Sequence, residues 1–378
     1  MQMSFDSSAF QLLLSCCRQN QSLVDHERRK SAFLEGIDAE VLIMLAERHR
    51  ITPLVYLSLK DQLDQYPDLL LELKNRFDFN RLMALTLKSY ETWLENYLNQ
   101  HDIKFTFLKG LQIAEKYYGD IAGRHVLDID ILVEEDGINQ LHQALVEHGF
   151  YPDPDIVNFN RSQLSFFRAV NHDLAYIRKN QHFNVVIEVH WRFRGQLKAF
   201  ILDEVRTLDK VEELLYLCTH GTEHAWFRLK WLCDILQVID TVSFDWDAVR
   251  QRAQELHCLS HLELTWLLIR QLFSIPIPQP VLNGMPASMH RSKMEHILKS
   301  IQHLSGVNEN DRMRLTHLVY VWGFNKRIAG LPLVLKYLTG PEDWKLLPLP
   351  HFLFFLYFPL RPFLFLWRKI KVRNVAEV

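Results

Sequence analysis

The run Leu127-Asp128-Ile129-Asp130-Ile131-Leu132-Val133 constrains this chain more than any other. Apolar and acidic residues alternate in it, and a period of two marks a strand with two unlike faces. Ile129, Ile131 and Val133 take one face, while Asp128 and Asp130 stand side by side on the other. Two carboxylates that close repel one another, and partial burial destabilises both. A divalent cation such as Mg2+ removes both penalties, because it favours oxygen ligands. The plain alternative is a pair of solvated acids on an edge strand.

The surroundings favour chemistry. A β-rich stretch, 104–108, ends at Lys109-Gly110, and a helix over 111–118 should follow. Backbone N–H groups at such a turn, together with a helix N-terminus, suit phosphate oxygens. Arg124 approaches the acidic strand from the loop 119–124, to meet a phosphate or one of the aspartates, or to form an ordinary salt bridge. Glu188 lies inside the apolar run Val186-Ile187-Glu188-Val189-His190-Trp191. An acid there is unfavourable unless it is paired or metal-bound. Two acids on one strand and a third on a neighbour is the layout a two-metal site needs. His190 shares the face of Glu188, and His172 lies across the sheet; both are supporting candidates or ordinary sheet histidines. Asp136 is expected to cap a helix that runs to His148, with Gly149 just beyond its end. A hairpin turns at Asn180-Gln181. The order of elements gives an α+β fold, a small mixed sheet with helices on one face.

On either side the spacing is helical. Residues 1–100 carry apolar stripes over 40–46, 69–77 and 82–98, and helices are expected over 214–224, 228–239, 246–256 and 261–273, with two or three more in 287–340. The division is a helical region 1–100, an α/β core 101–205, a helical domain 206–340 and an apolar, Pro-rich, basic tail 341–378. Within the tail, 346–367 approaches the roughly 20 apolar residues that span a bilayer. Pro348, Pro350, Pro359 and Pro362 should break a continuous helix there. The segment therefore packs on the body, or 346–373 makes peripheral contact with a membrane, with Arg368, Lys369, Lys371 and Arg373 near anionic headgroups.

The formal charge is 43 − 45 = −2, so no global basic excess marks a stable nucleic-acid partner. Five cysteines without a Cys-x-x-Cys pair suggest neither a disulfide framework nor a cysteine zinc site. With no basic, then apolar, leader at the N-terminus, a cytoplasmic location is expected, peripheral at the inner face of the membrane at most. His220-Gly221-Thr222-Glu223-His224 spells the inverted zinc-peptidase motif. Gly221 would weaken a helix meant to hold zinc rigidly, and 18 histidines make a chance match unsurprising. A better expectation is that this helix faces the cleft, with His220, His224, Arg228 and Lys230 near substrate phosphates. The alternative is a core of Trp226, Leu229, Trp231 and Leu232 with the polar residues solvated.

The run from Phe107 to Phe150 resembles the DNA-polymerase-β-like nucleotidyltransferase superfamily. More narrowly, it resembles a bacterial uncharacterised nucleotidyltransferase family found among natural-product and cell-surface biosynthetic gene clusters. The Lys109-Gly110 turn, Arg124, the Asp128/Asp130 strand, Gly149-Phe150 and Glu188-Val189-His190-Trp191 carry the likeness, and 220–235 resembles that family's helical region. The resemblance covers roughly 35–240. It implies a transferase that moves a nucleotidyl group from an NTP such as ATP to a hydroxyl of a small molecule, peptide, protein or saccharide. Alternatives are a transferase using another phosphorylated donor, such as a nucleotide sugar, or a non-catalytic accessory protein of the same fold. It implies Asp128, Asp130 and Glu188 as ligands of Mg2+ or Mn2+ and as the catalytic acids. Lys109, Gly110, Arg124, His220, His224, Arg228 and Lys230 are then expected on the nucleotide. Leu111 stands where a serine often holds a phosphate oxygen, so Lys109 or backbone amides are expected to substitute.

Overall fold

The computed structural model describes residues 7–18, 22–154, 156–191, 207–283, 291–302 and 338–375. Four helices come first: α1 (Ser8–Ser15), α2 (Leu23–Glu35), α3 (Ala39–His49) and α4 (Thr52–Leu59). α5 (Pro67–Gln100) then runs unbroken for 34 residues. The sequence suggested two stretches interrupted near residues 78–81. However, no glycine or proline follows Pro67 within the helix, so nothing stops it there.

The sheet contains β1 (Phe105–Phe107), β2 (Ile129–Val133), β3 (Tyr151–Asp153), β4 (Asp173–Lys179) and β5 (Asn184–His190) in the order β1-β2-β5-β4-β3. Only β2 and β5 pair in parallel; the other neighbours are antiparallel, and β4 and β5 form the expected hairpin. Between β1 and β2, α6 (Leu111–Ile113) passes into a π-helical turn, Ala114–Tyr118. α7 (Ile138–Glu147) precedes β3. Asp136 does not cap it, because Asp136 is spent in a 3-10 turn, Glu135–Gly137, just before the helix. β3 and α8 (Arg161–Val170) were not foreseen; α8 is fixed by a capping box between Asn160 and Gln163.

After the sheet come α9 (Lys210–Glu223), α10 (Lys230–Thr241), α11 (Trp246–Glu255), α12 (Leu259–Phe273), α13 (Gln279–Leu282) and α14 (Arg291–Ile301). Of the further helices expected within 287–340, α14 is present, and residues 303–337 lie outside the described part. α15 (Pro341–Leu346) leads through a 3-10 turn, His351–Leu356, into α16 (Tyr357–Val375). Pro362 lies inside α16 without ending it, contrary to expectation. Pro359 stands in the first turn, where a missing N–H costs little because those groups have no intrahelical partner, whereas Pro362 lies beyond it and removes one N–H from the helix ladder.

Two cores sandwich the sheet, so helices cover both faces rather than one. Ile129, Ile131, Val185 and Ile187 face a rear core with α5, α7, Phe167 of α8, and Trp344, Tyr357 and Leu364 of the C-terminal segment. Leu132, on the face of the acids, joins a front core built from α1–α4 together with α9–α12 and α14. Polar ties cross that core: Gln237 donates to the Cys17 carbonyl at 3.2 Å, Leu229 N–H donates to His49 Nδ1 at 3.2 Å, and Arg18 forks onto Asp240. The five cysteines are buried free thiols.

Candidate active site

Leu108 N–H donates to the Asp130 carbonyl at 3.1 Å, which carries the β1–β2 ladder one residue further. Lys109 therefore leaves the sheet beside Asp130, with Nζ 3.0 Å from Asp130 Oδ1. Gly110 follows at φ 78 and ψ −118. A Cβ there would sit 3.3 Å from the Asp128 carbonyl oxygen. The turn thus needs glycine both for its backbone angles and for the close approach of the Asp128 strand.

Asp130 and Glu188 are direct register partners on the parallel pair β2–β5. Asp130 is 1% exposed, and its Oδ1 also meets His190 Nε2 at 3.3 Å. Its other oxygen, Oδ2, is buried and has no hydrogen-bond partner. Glu188 Oε2 lies 3.8 Å from His190 Nε2. His172 pairs with Asp173 at 3.1 Å, its ring 5.6 Å from that of His190. The ligand atoms of Asp130, Glu188 and His190 fall within 4.8 Å of one another, as do those of His172, Asp173 and His190. Asp128 precedes β2, is partly exposed and belongs to neither group.

Charge balance follows from this packing. Burial works against the Lys109 ammonium, but Asp130 and then Asp128 hold it above its ordinary range. Burial also works against the Asp130 charge, and Lys109 and His190 overcome it, keeping the carboxyl below the usual carboxylate range. For Glu188 the pull of Lys109 is outweighed. Burial, then repulsion from Asp130 and Asp128, pushes it up to about 9, so it carries a proton at neutral pH.

Arg124 is buried and turned away from the acidic strand. Its Nε and Nη2 each donate to Asp234 on α10 at 2.8 Å, and Nη1 reaches the Gly110 carbonyl at 3.4 Å. Tyr118 donates to the same carboxylate at 2.7 Å. From the other side, Asn80 of α5 donates to the Ala122 and Arg124 carbonyls at 2.9 and 3.0 Å. The loop that delivers Asp128 is therefore clamped between α5 and α10.

α9 covers the acids. Tyr216, His220 and His224 follow one another at one-turn intervals, with ring centroids 6.0 and 4.6 Å apart, and His224 stacks on Trp231 at 4.8 Å. The Lys109 charge acts on both Tyr216 and His220. Sequence reasoning missed Tyr216, although its spacing from the two histidines was visible. Burial, then Arg124, brings Lys230 down to about 7, and Asp128 pulls the other way. Arg228 lies against the Phe227 ring, as does Arg48, and its charge is felt at His49 and His125. Among the described residues no third ligand joins His220 and His224. Gly221 has a packing reason, since a Cβ on it would lie 2.4 Å from the Trp226 indole.

The donors fit a hard dication. Carboxylate oxygens dominate, Asp130 Oδ2 lacks a partner, and the protonated Glu188 would become a ligand on losing its proton. The model of a family described as uncharacterised nucleotidyltransferase matches residues 35–274, well over half of the chain. The protein belongs to this family. This nucleotidyltransferase is accordingly an enzyme of that kind, and such enzymes generally use divalent metals. No curated protein and no solved structure matches it. The matched span holds Lys109, Asp128, Asp130, Glu188 and Lys230, the acids and both lysines of the cleft. No helix among the described residues is long and apolar enough to cross a membrane.

Proposed function

We propose that this enzyme transfers a nucleotidyl group from an NTP to a hydroxyl on a small molecule, peptide, protein or saccharide, in the cytoplasm or at its membrane face. The observation that supports this most is the cross-strand pair Asp130–Glu188 facing Lys109 across a glycine turn. Asp128, Asp130 and Glu188 would hold Mg2+ or Mn2+, with His190 beside them. Bound there, the ions supply neutralising charge for the triphosphate and lower the pKa of the acceptor hydroxyl. The acceptor oxygen attacks the α-phosphorus, the bond to the β-phosphate oxygen breaks, and pyrophosphate leaves. Glu188, deprotonated in the loaded site, takes the hydroxyl proton. Lys109 keeps Asp130 ionised and meets the phosphate oxygens, a role that serine fills in relatives where Leu111 stands here. Lys230, His220 and Tyr216, on which the charges of Asp128 or Lys109 act, would meet the donor from α9 and α10. Arg124 acts through Gly110, as a positioning residue for the turn.

The test is incubation with each labelled NTP, Mg2+ and a cell extract, followed by identification of the labelled product. A label that appears with wild type and is lost in Glu188→Gln supports the reading. The absence of both label and NTP-plus-metal thermal stabilisation overturns it.

A further inference from the structure

The last described segment is built inside out. Tyr357, Arg361, Leu364 and Arg368 recur at helical spacing, and they face the body. Tyr357 and Leu364 enter the rear core. Arg361 pairs with Asp343, which is fully buried, and Arg368 Nη2 lies 3.4 Å from the same carboxylate. Outward stand Phe352, Phe355, Phe363, Phe365, Leu366 and Trp367, each between 46% and 69% exposed. Pro359 and Pro362 lie between them, also exposed. The charges that would normally face water are thus spent on an internal acid, while large apolar side chains face out. Monomeric surfaces rarely carry such a contiguous apolar patch without a binding role.

We propose that this face seats in the interfacial layer of an anionic lipid bilayer. Three observations choose lipid over a protein partner. The patch is almost wholly aromatic, with a tryptophan at its end, the composition that favours the headgroup boundary. It offers few polar groups to set the register of a protein surface. The same helix continues with Lys369, Lys371 and Arg373, which suits anionic headgroups. The segment lies behind the sheet, on the rear core, whereas Asp130 and Glu188 face the front core. The bilayer therefore holds the protein with its acids turned toward water, and substrates arrive from the aqueous side.

The experiment is flotation of the full chain on phosphatidylcholine vesicles with and without one-third phosphatidylglycerol. The comparison variant is Phe363→Ser/Leu366→Ser/Trp367→Ser, and Leu71→Ser serves as an exposed control on α5. Wild type and the control should float, more strongly with phosphatidylglycerol, and the triple variant should partition at least about tenfold less. An unchanged melting temperature in the triple variant shows that its fold survives. Equal flotation of wild type and triple variant overturns the proposal. So does a wild type that never floats but is a dimer by light scattering and becomes monomeric in the triple variant, which would assign the face to a second copy.

Discussion

At the scale of single residues, the site is an unequal pair of acids. Asp130 is ionised because Lys109 and His190 hold it, and Glu188 is protonated because burial and the two aspartates outweigh the pull of Lys109. Two substitutions that look alike should therefore behave differently. Glu188→Gln copies the form that the metal-free protein already has at pH 7. It should leave the melting temperature nearly unchanged and lower turnover by about a hundredfold to ten-thousandfold. Asp130→Asn strands a buried lysine, and should cost about 3–5 kcal/mol in urea unfolding as well as turnover. Cation binding must also expel the Glu188 proton. Mn2+ affinity measured by calorimetry should rise up to about tenfold per pH unit below about 9, and this slope should vanish in Glu188→Gln. Asp130 and Glu188 were legible in the sequence because each interrupts an apolar strand, whereas Asp128, expected on the same strand, stands just before β2. His190 could be placed on the right face but not at 3.3 Å from Asp130, since the sequence carries no register between strands 60 residues apart. The partner of Arg124 was out of reach for the same reason, because Asp234 lies 110 residues away.

At the scale of elements, the acid-bearing strand is set by its supports. The loop before β2 hangs between Asn80 of α5 and Asp234 of α10, and Arg124 passes that restraint on to the Gly110 carbonyl. Asp234→Ala leaves a buried guanidinium without its carboxylate, and a loss of about 3–5 kcal/mol is expected by urea unfolding. Gly110→Ala forces a positive φ on a residue with a Cβ and presses that carbon on the Asp128 carbonyl. It should cost about 1–3 kcal/mol. The displaced Asp128 should lower kcat beyond what that loss of stability explains. Element types were legible where a stripe or an alternation was long, as in α9–α12 and the β4–β5 hairpin. They failed where the deciding signal was weak. β3 is three residues long, α8 reveals itself only through its Asn160–Gln163 cap, and α5 carries a polar stretch that lowers periodicity without breaking a helix.

At the scale of the whole molecule, buried imidazoles tie stability to pH. Burial, then the charge of Arg48, brings His49 down to about 3, and burial with Lys230 brings His125 down equally. An unfolded imidazole titrates near about 6.5, so below that pH the unfolded chain binds the proton first. Stability should be insensitive to these groups above about 6.5, and should fall toward pH 3 by up to about 1.4 kcal/mol per pH unit for each. Thermal melts at pH 8, 6 and 5 check the sign, and His49→Gln should flatten the acid side. The front core, where His49 accepts from Leu229, also bears on how the protein is made. α1–α4 leave the ribosome before the sheet, and the helices they share a core with, α9–α12, follow it. Until then α1 has α2 and α3 to pack on, but the core around Phe10, Leu12 and Leu13 lacks its second half. The order of translation runs against the order of packing, and the nascent chain completes its front core only after residues 210–273 have followed the sheet.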